Sequence, residues 1–144
     1  MLKPAIGAVM LVASLTAAMA DDAADIRATL EGWRDDFNAG KAGTVCDLFA
    51  RDVIADVRGL PERTYDEVCG VLQKSLADEA KHFSYSVEIK DIIVEGDLAA
   101  VRLVWTLKIA PPVDVTSVEH GLDVLRRHPD GTWKIVRFLT FDSP

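Results

Sequence analysis

Only two of the 144 residues are cysteine and only three are histidine. Two thiols cannot staple a disulfide-dense scaffold, and Cys46 and Cys69 are spaced like no zinc motif. Basic charge is scarce as well, with 16 Lys and Arg against 23 Asp and Glu and no clustered basic stripe. A chain of net charge −7 repels phosphate backbones and anionic lipid, which argues against nucleic acid and membrane surfaces as partners. There is no internal repeat, no low-complexity segment and no second long apolar run. Nor does any Ser/His/Asp order, glycine-rich phosphate loop or metal-ligand cluster stand out, so neither a cofactor nor a metal is expected.

The first apolar run is the exception that sets the boundary. Lys3 gives a short basic start, Ala5 to Ala17 are almost wholly apolar, and Ala18-Met19-Ala20 is a small-x-small cleavage site followed by Asp21-Asp22. The run is too short to span a bilayer, so residues 1–20 read as a secretory signal peptide rather than an uncleaved anchor. A mature domain of residues 21–144, periplasmic or secreted and with no membrane attachment after cleavage, is the expectation. Removing Lys3 makes its net charge −8, because no other charged side chain lies in the first twenty residues. All ten aromatic residues fall in this part, enough to build a core.

Helical periodicity comes first along the mature chain. Ile26, Leu30, Trp33 and Phe37 mark one helix face, and Gly40 suits the left-handed position beyond its end. A short second helix is expected over about Ala42–Ala50 and a brief strand over Val53–Val57. Thr64 and Glu67 form a capping box for a third helix reaching about Ala80. Cys46 and Cys69 lie on these expected helices, where a disulfide and two separate buried thiols are both open readings.

The period then changes to two. Phe83, Tyr85, Val87 and Ile89 open a strand running to Val94, and Gly96-Asp97 turns the chain into a second strand, Leu98–Ile109. Val115–Arg127 and Trp133–Phe141 follow, joined by an Asp130-Gly131 hairpin turn. Three helices followed by long antiparallel strands make an α+β fold, with the helices packed on a strongly curved antiparallel sheet. The hollow of such a sheet is a natural small-molecule site, and Trp33, Phe37, Phe83, Tyr85 and Trp105 are candidates to line it. An aromatic stripe at this spacing is equally at home in a plain core. The apolar character of both faces of Leu98–Ile109 favours an oligomer, a homodimer in the simplest case.

Several segments in this order resemble the nuclear transport factor 2-like superfamily, in the branch of SnoaL-like polyketide cyclases and ketosteroid isomerases. They are Phe37-Asn38-Ala39-Gly40, Leu48-Phe49-Ala50-Arg51-Asp52, Gly96-Asp97, Leu122 to Arg127, and Asp130-Gly131-Thr132-Trp133-Lys134-Ile135. The resemblance implies a cone-shaped fold, a small hydrophobic ligand, and cofactor-free proton transfer if the protein is an enzyme. It places a general-base Asp three residues before a Gly, matched by Asp56 before Gly59. A second Asp, kept protonated to donate to an enolate oxygen, is matched by Asp123 three residues before Arg126. The family's Tyr on the first helix is replaced by Trp33, and Val57 stands where a Pro is usual.

Each carboxylate also has a plainer reading, Asp56 as a solvated group at a turn and Asp123 in a structural ion pair. His120 alternates to the strand face opposite Asp123 and stands outside the constellation. Alternatives to catalysis are a ligand-binding module without turnover and an interaction module that uses its sheet face.

Overall fold

A computed structural model describes residues 10–112 and 114–142. The first nine residues of the expected signal peptide therefore lie outside the described residues. Helix α1 (Met10–Asn38) begins within that segment and carries the expected stripe, with Ile26 and Leu30 wholly buried. Gly40 takes φ 73° just past its end, the left-handed value foreseen for it. Among the described residues no helix is long and apolar enough to cross a membrane.

The expected second helix does not form. Residues 42–48 are a run of turns, and the chain is already strand β1 (Phe49–Val57) at Phe49. The reason lies in where the carbonyls go. Thr44, Asp47 and Phe49 each donate a backbone N–H to the carbonyl three residues earlier, rather than four. The Val45 carbonyl, which a helix would pair with the Phe49 amide, accepts instead from the Trp33 indole, and the Leu48 carbonyl accepts from the Ile135 amide, both at 2.8 Å. Val45 and Leu48 keep the burial that suggested a helix, but tertiary partners claim their backbone.

Helix α2 (Tyr65–Ala77) starts where the capping box placed it, and Glu67 accepts from the Thr64 backbone N–H at 2.7 Å. Strands β2 (His82–Glu95), β3 (Leu98–Ala110), β4 (Val115–Arg127) and β5 (Trp133–Asp142) follow the period-two pattern closely. Gly96 and Gly131 turn the hairpins at φ 58° and 85°.

The sheet order is β1-β5-β4-β3-β2. Four strands are antiparallel neighbours, while β1 lies parallel to β5 at one edge, and α2 carries the chain from β1 to β2 at the opposite edge. Register shifts between Ile89 and Asp91, and between Val124 and Leu125, add local bend and twist to the long strands. The concave side receives α1 and α2, and its core joins Ile26 and Leu30 to Val101, Leu103, Leu125 and Ile135. Asp22 at the start of the expected mature chain makes a two-point ion pair with Arg127 at 2.6 Å, tying α1 to the end of β4.

Cys46 in the turn run and Cys69 on α2 are joined as a disulfide, with Cα atoms 5.4 Å apart. It closes one of the two readings left open by the sequence. The bridge fastens α2 to the turns that replace the expected helix.

Candidate functional site

The packing of α1, α2 and the sheet leaves a chamber of about 290 Å³. Its deep wall includes Trp33, Phe49, Trp105, Ile135 and Phe138. Its outer part is bounded by Val57, Leu60 and Arg63, by Val71 of α2, and by Thr140. The volume sits at the lower end of ligand-cavity sizes, and the lining is mostly apolar.

Asp123 lies in this apolar wall and is 2 % exposed. Strand alternation puts it there. Glu119, Gly121, Asp123 and Leu125 share one face of β4, and Val101 of β3 and Phe138 of β5 flank Asp123 in register. Among the described residues no hydrogen-bond donor or cation is placed on its carboxyl; Arg126, three residues further along β4, pairs with Asp52 at 3.0 Å. Burial alone pushes its carboxyl up to about 7, so it keeps its proton between about pH 4 and pH 7, where an ordinary aspartate is charged. A neutral carboxyl is a hydrogen-bond donor, whereas a carboxylate is only an acceptor.

Tyr85 reaches the chamber from β2, packed edge-on against Trp105 at 5.7 Å and Phe37 at 5.0 Å. Burial, and secondarily the negative charge of Glu119, raise its phenol above the ordinary range, so it stays a donor at neutral pH. Trp33 does not play that part. Its indole N–H is committed to the Val45 carbonyl, and only its ring faces the chamber.

Asp56 and Asp123 are not brought together. Val53, Ala55 and Val57 point inward along β1, so Asp56 falls on the other face, exposed and paired in register with the equally exposed Leu139. It borders a separate shallow hollow beside Arg58 and Phe141. Of the five aromatic candidates, Trp33, Tyr85 and Trp105 line the chamber. Phe37 is buried behind Trp33 and Tyr85, and Phe83 is half-buried on β2 away from the lining. His120 is on the outer face of β4, stacked on Phe141 at 5.8 Å.

Among the polar lining residues, three escaped the sequence reading: Glu119, Arg63 and Thr140. Glu119 was accessible to it, because four residues before Asp123 on a strand is the same face. Arg63 was not, since its position follows from a non-local bridge to Ala55, with backbone hydrogen bonds of 2.9 Å in both directions. Among the described residues no group of three or more His, Cys, Asp or Glu side chains could hold a metal.

Residues 30–138 match the family model described as a SnoaL-like domain. A ketosteroid isomerase-like protein from Erwinia carotovora atroseptica is 24 % identical, with TM-score 0.70 over 85 % of this chain and 98 % of that one. An NTF2-like protein with a cystatin-like fold from Novosphingobium aromaticivorans is 19 % identical, with TM-score 0.73 over 96 % of this chain and 92 % of the other. A putative dehydratase of the NTF2-like family from Streptomyces avermitilis is 19 % identical, with TM-score 0.70 over 86 % and 97 % of the two chains. No functionally curated protein matches the chain. At these identities the solved structures speak for the fold, and the family model, spanning most of the sequence, speaks for kinship: the chain belongs to the SnoaL-like domain family.

Proposed function

We propose that this is an exported pocket protein that binds a small hydrophobic, cyclic or carbonyl-bearing molecule in the chamber, with Asp123 as a neutral donor to the ligand's oxygen. One observation carries the reading: a buried carboxyl that lines the chamber and has no hydrogen-bond or charge partner among the described residues. A polar group left so costs on the order of 1–3 kcal/mol, a cost that an acceptor atom on a guest would offset. Tyr85 supplies a second donor on the same chamber. Export is supported by the leader-like first twenty residues and the Cys46–Cys69 bridge.

The probe is 2-tetralone, a bicyclic ketone. Thermal denaturation with increasing 2-tetralone should show a rising midpoint, as binding to the folded state alone requires. Asp123→Ala should weaken that binding by roughly tenfold, the worth of about one hydrogen bond. A midpoint that does not move with the ketone, at concentrations up to its solubility, would refute the reading.

A second reading concerns the other side of the sheet. Leu122, Leu139 and Phe141 are 45 %, 51 % and 50 % exposed, and Leu122 pairs with Leu139 in register. Contiguous apolar area on an outer sheet face suits a homodimer formed by two such faces. Sedimentation should show a dimer that Leu139→Glu converts to monomer without loss of ketone binding; a monomeric wild type at tens of micromolar would end this idea.

A further inference from the structure

Arg63 is aimed by its backbone. It lies in the link between β1 and α2 and forms an antiparallel bridge with Ala55, each residue donating its N–H to the other's carbonyl at 2.9 Å. Directly opposite residues in such a pair carry their side chains on the same face. Ala55 faces the core with 0 % exposure, so the Arg63 side chain leaves the backbone on the concave side, where Arg63 bounds the chamber. Across the sheet from there, Ala55 lies opposite Phe138 on β5, and Phe138 lies opposite Asp123 on β4. Arg63, Ala55, Phe138 and Asp123 therefore form one row. Three strand spacings put its ends roughly 14 Å apart between Cα atoms, a span that the long Arg63 side chain shortens. Between the ends stand the small Ala55 and the half-buried ring of Phe138, which lines the chamber.

The charge of Arg63 is uncommitted. Among the described residues no carboxylate lies within ion-pair distance of its guanidinium, although acids outnumber bases 23 to 16 in the chain. Glu67 senses that charge, but its carboxylate already accepts from the Thr64 backbone N–H at 2.7 Å and the Thr64 hydroxyl at 2.9 Å. Glu119, the other acid on the chamber, stands four residues along β4 from the row. Its charge is felt by Tyr85 on β2, at the sheet edge opposite β1. We propose that the chamber selects a hydrophobic carboxylic acid, whose carboxylate pairs with Arg63 while an oxygen at its other end accepts from Asp123. This rests on the ligand-binding role of Asp123 proposed above. The body of the guest lies over Ala55 and Phe138, so the row suits a ring with an oxygen substituent at one end and a carboxylate at the other. A guanidinium holds a carboxylate through two parallel N–H donors, and the apolar wall around it strengthens the pair. A neutral ketone of the same size satisfies Asp123 alone, and a cationic one meets like charge at Arg63.

The test compares three aryl ketones by titration calorimetry: 4-acetylbenzoate, its methyl ester, and 4-acetylbenzylammonium. The wild-type protein should bind the acid about tenfold or more tightly than the ester, the worth of a charge-assisted hydrogen bond, and the ammonium ion more weakly than either. Arg63→Gln should abolish the preference for the acid and leave ester binding unchanged, which also shows that the variant is folded. Arg58→Gln makes the same change of charge at an exposed position on the outer hollow, and should keep the preference. Ester binding with no gain for the acid, or an ammonium ion bound as tightly as the acid, overturns the assignment and spares the role of Asp123. A preference that survives Arg63→Gln, or that Arg58→Gln removes equally, overturns it as well. Absence of binding by all three removes the ligand-binding role and this inference together.

Discussion

Asn38, the last residue of α1, pairs with both backbone polar groups of Tyr85 on β2. Its amide donates to the Tyr85 carbonyl and its side-chain oxygen accepts from the Tyr85 N–H, each at 2.8 Å. β2 is an edge strand, so without this clamp the outer backbone groups of Tyr85 would be open to solvent or to another chain. The clamp also fixes the strand position from which Tyr85 lines the chamber.

Asn38→Ala should therefore cost about 1–2 kcal/mol, the net worth of two hydrogen bonds at an exposed position, and lower the melting midpoint by several degrees. It should also speed amide exchange at Tyr85 more than at the neighbouring strand positions. Urea denaturation and residue-resolved hydrogen exchange check both; an unchanged Tyr85 amide would mean that the sheet holds β2 without help from α1.

Asp123 gives stability a particular dependence on pH. Its folded-state value, about 7, is raised above the unfolded value near 3.8, because the folded chamber disfavours the charged form. The stabilising contribution is thus fully present below about pH 4 and is lost as pH rises to about 7, where the folded state must also ionise. The whole effect is on the order of 4 kcal/mol. Glu119 on β4, Tyr85 on β2 and Arg63 ahead of α2 are the other titratable groups on the chamber. Asp123→Asn should flatten this dependence and be more stable than wild type at pH 8; melting curves between pH 4 and 8 decide it.

The disulfide ties the turns that carry Leu48 to the helix that carries Val68, Val71 and Leu72, and all four line the chamber. The bridge joins residues 23 positions apart, which corresponds to about 3 kcal/mol in the chain-entropy account. Replacing both Cys46 and Cys69 with Ser should cost about that much and weaken 2-tetralone binding, because one wall is released. Calorimetry of the double variant measures the first effect and ketone titration the second.

The parts of this fold that were legible in the sequence are those governed by local periodicity. The α1 stripe, the capping box at Thr64, the four long strands and the hairpin glycines follow from spacing and turn chemistry alone. What failed depended on partners far along the chain. The segment around Val45 and Leu48 has helical spacing, but Trp33 takes the Val45 carbonyl that a helix would use and Ile135 draws the Leu48 carbonyl to the sheet. For the site, Asp123 was singled out by the family resemblance, through its spacing from Arg126, and strand alternation sets it on the buried face of β4. Asp56 was placed by its distance from Gly59, while the alternation of Val53, Ala55 and Val57 already sent it outward. Counting by two from Asp123 reaches Glu119, so that residue could have been found; the joint between Asn38 and Tyr85 spans 47 positions and could not.

A carbon-13 NMR titration of the Asp123 side-chain carboxyl, run with and without 2-tetralone, goes to the centre of the account. The carboxyl should keep its proton to about pH 7 in the free protein, and to higher pH with the ketone bound, because an oxygen acceptor favours the neutral form. A midpoint below pH 5 that the ketone leaves unmoved would show a charged, solvated group, and the chamber would then have no donor to offer a guest.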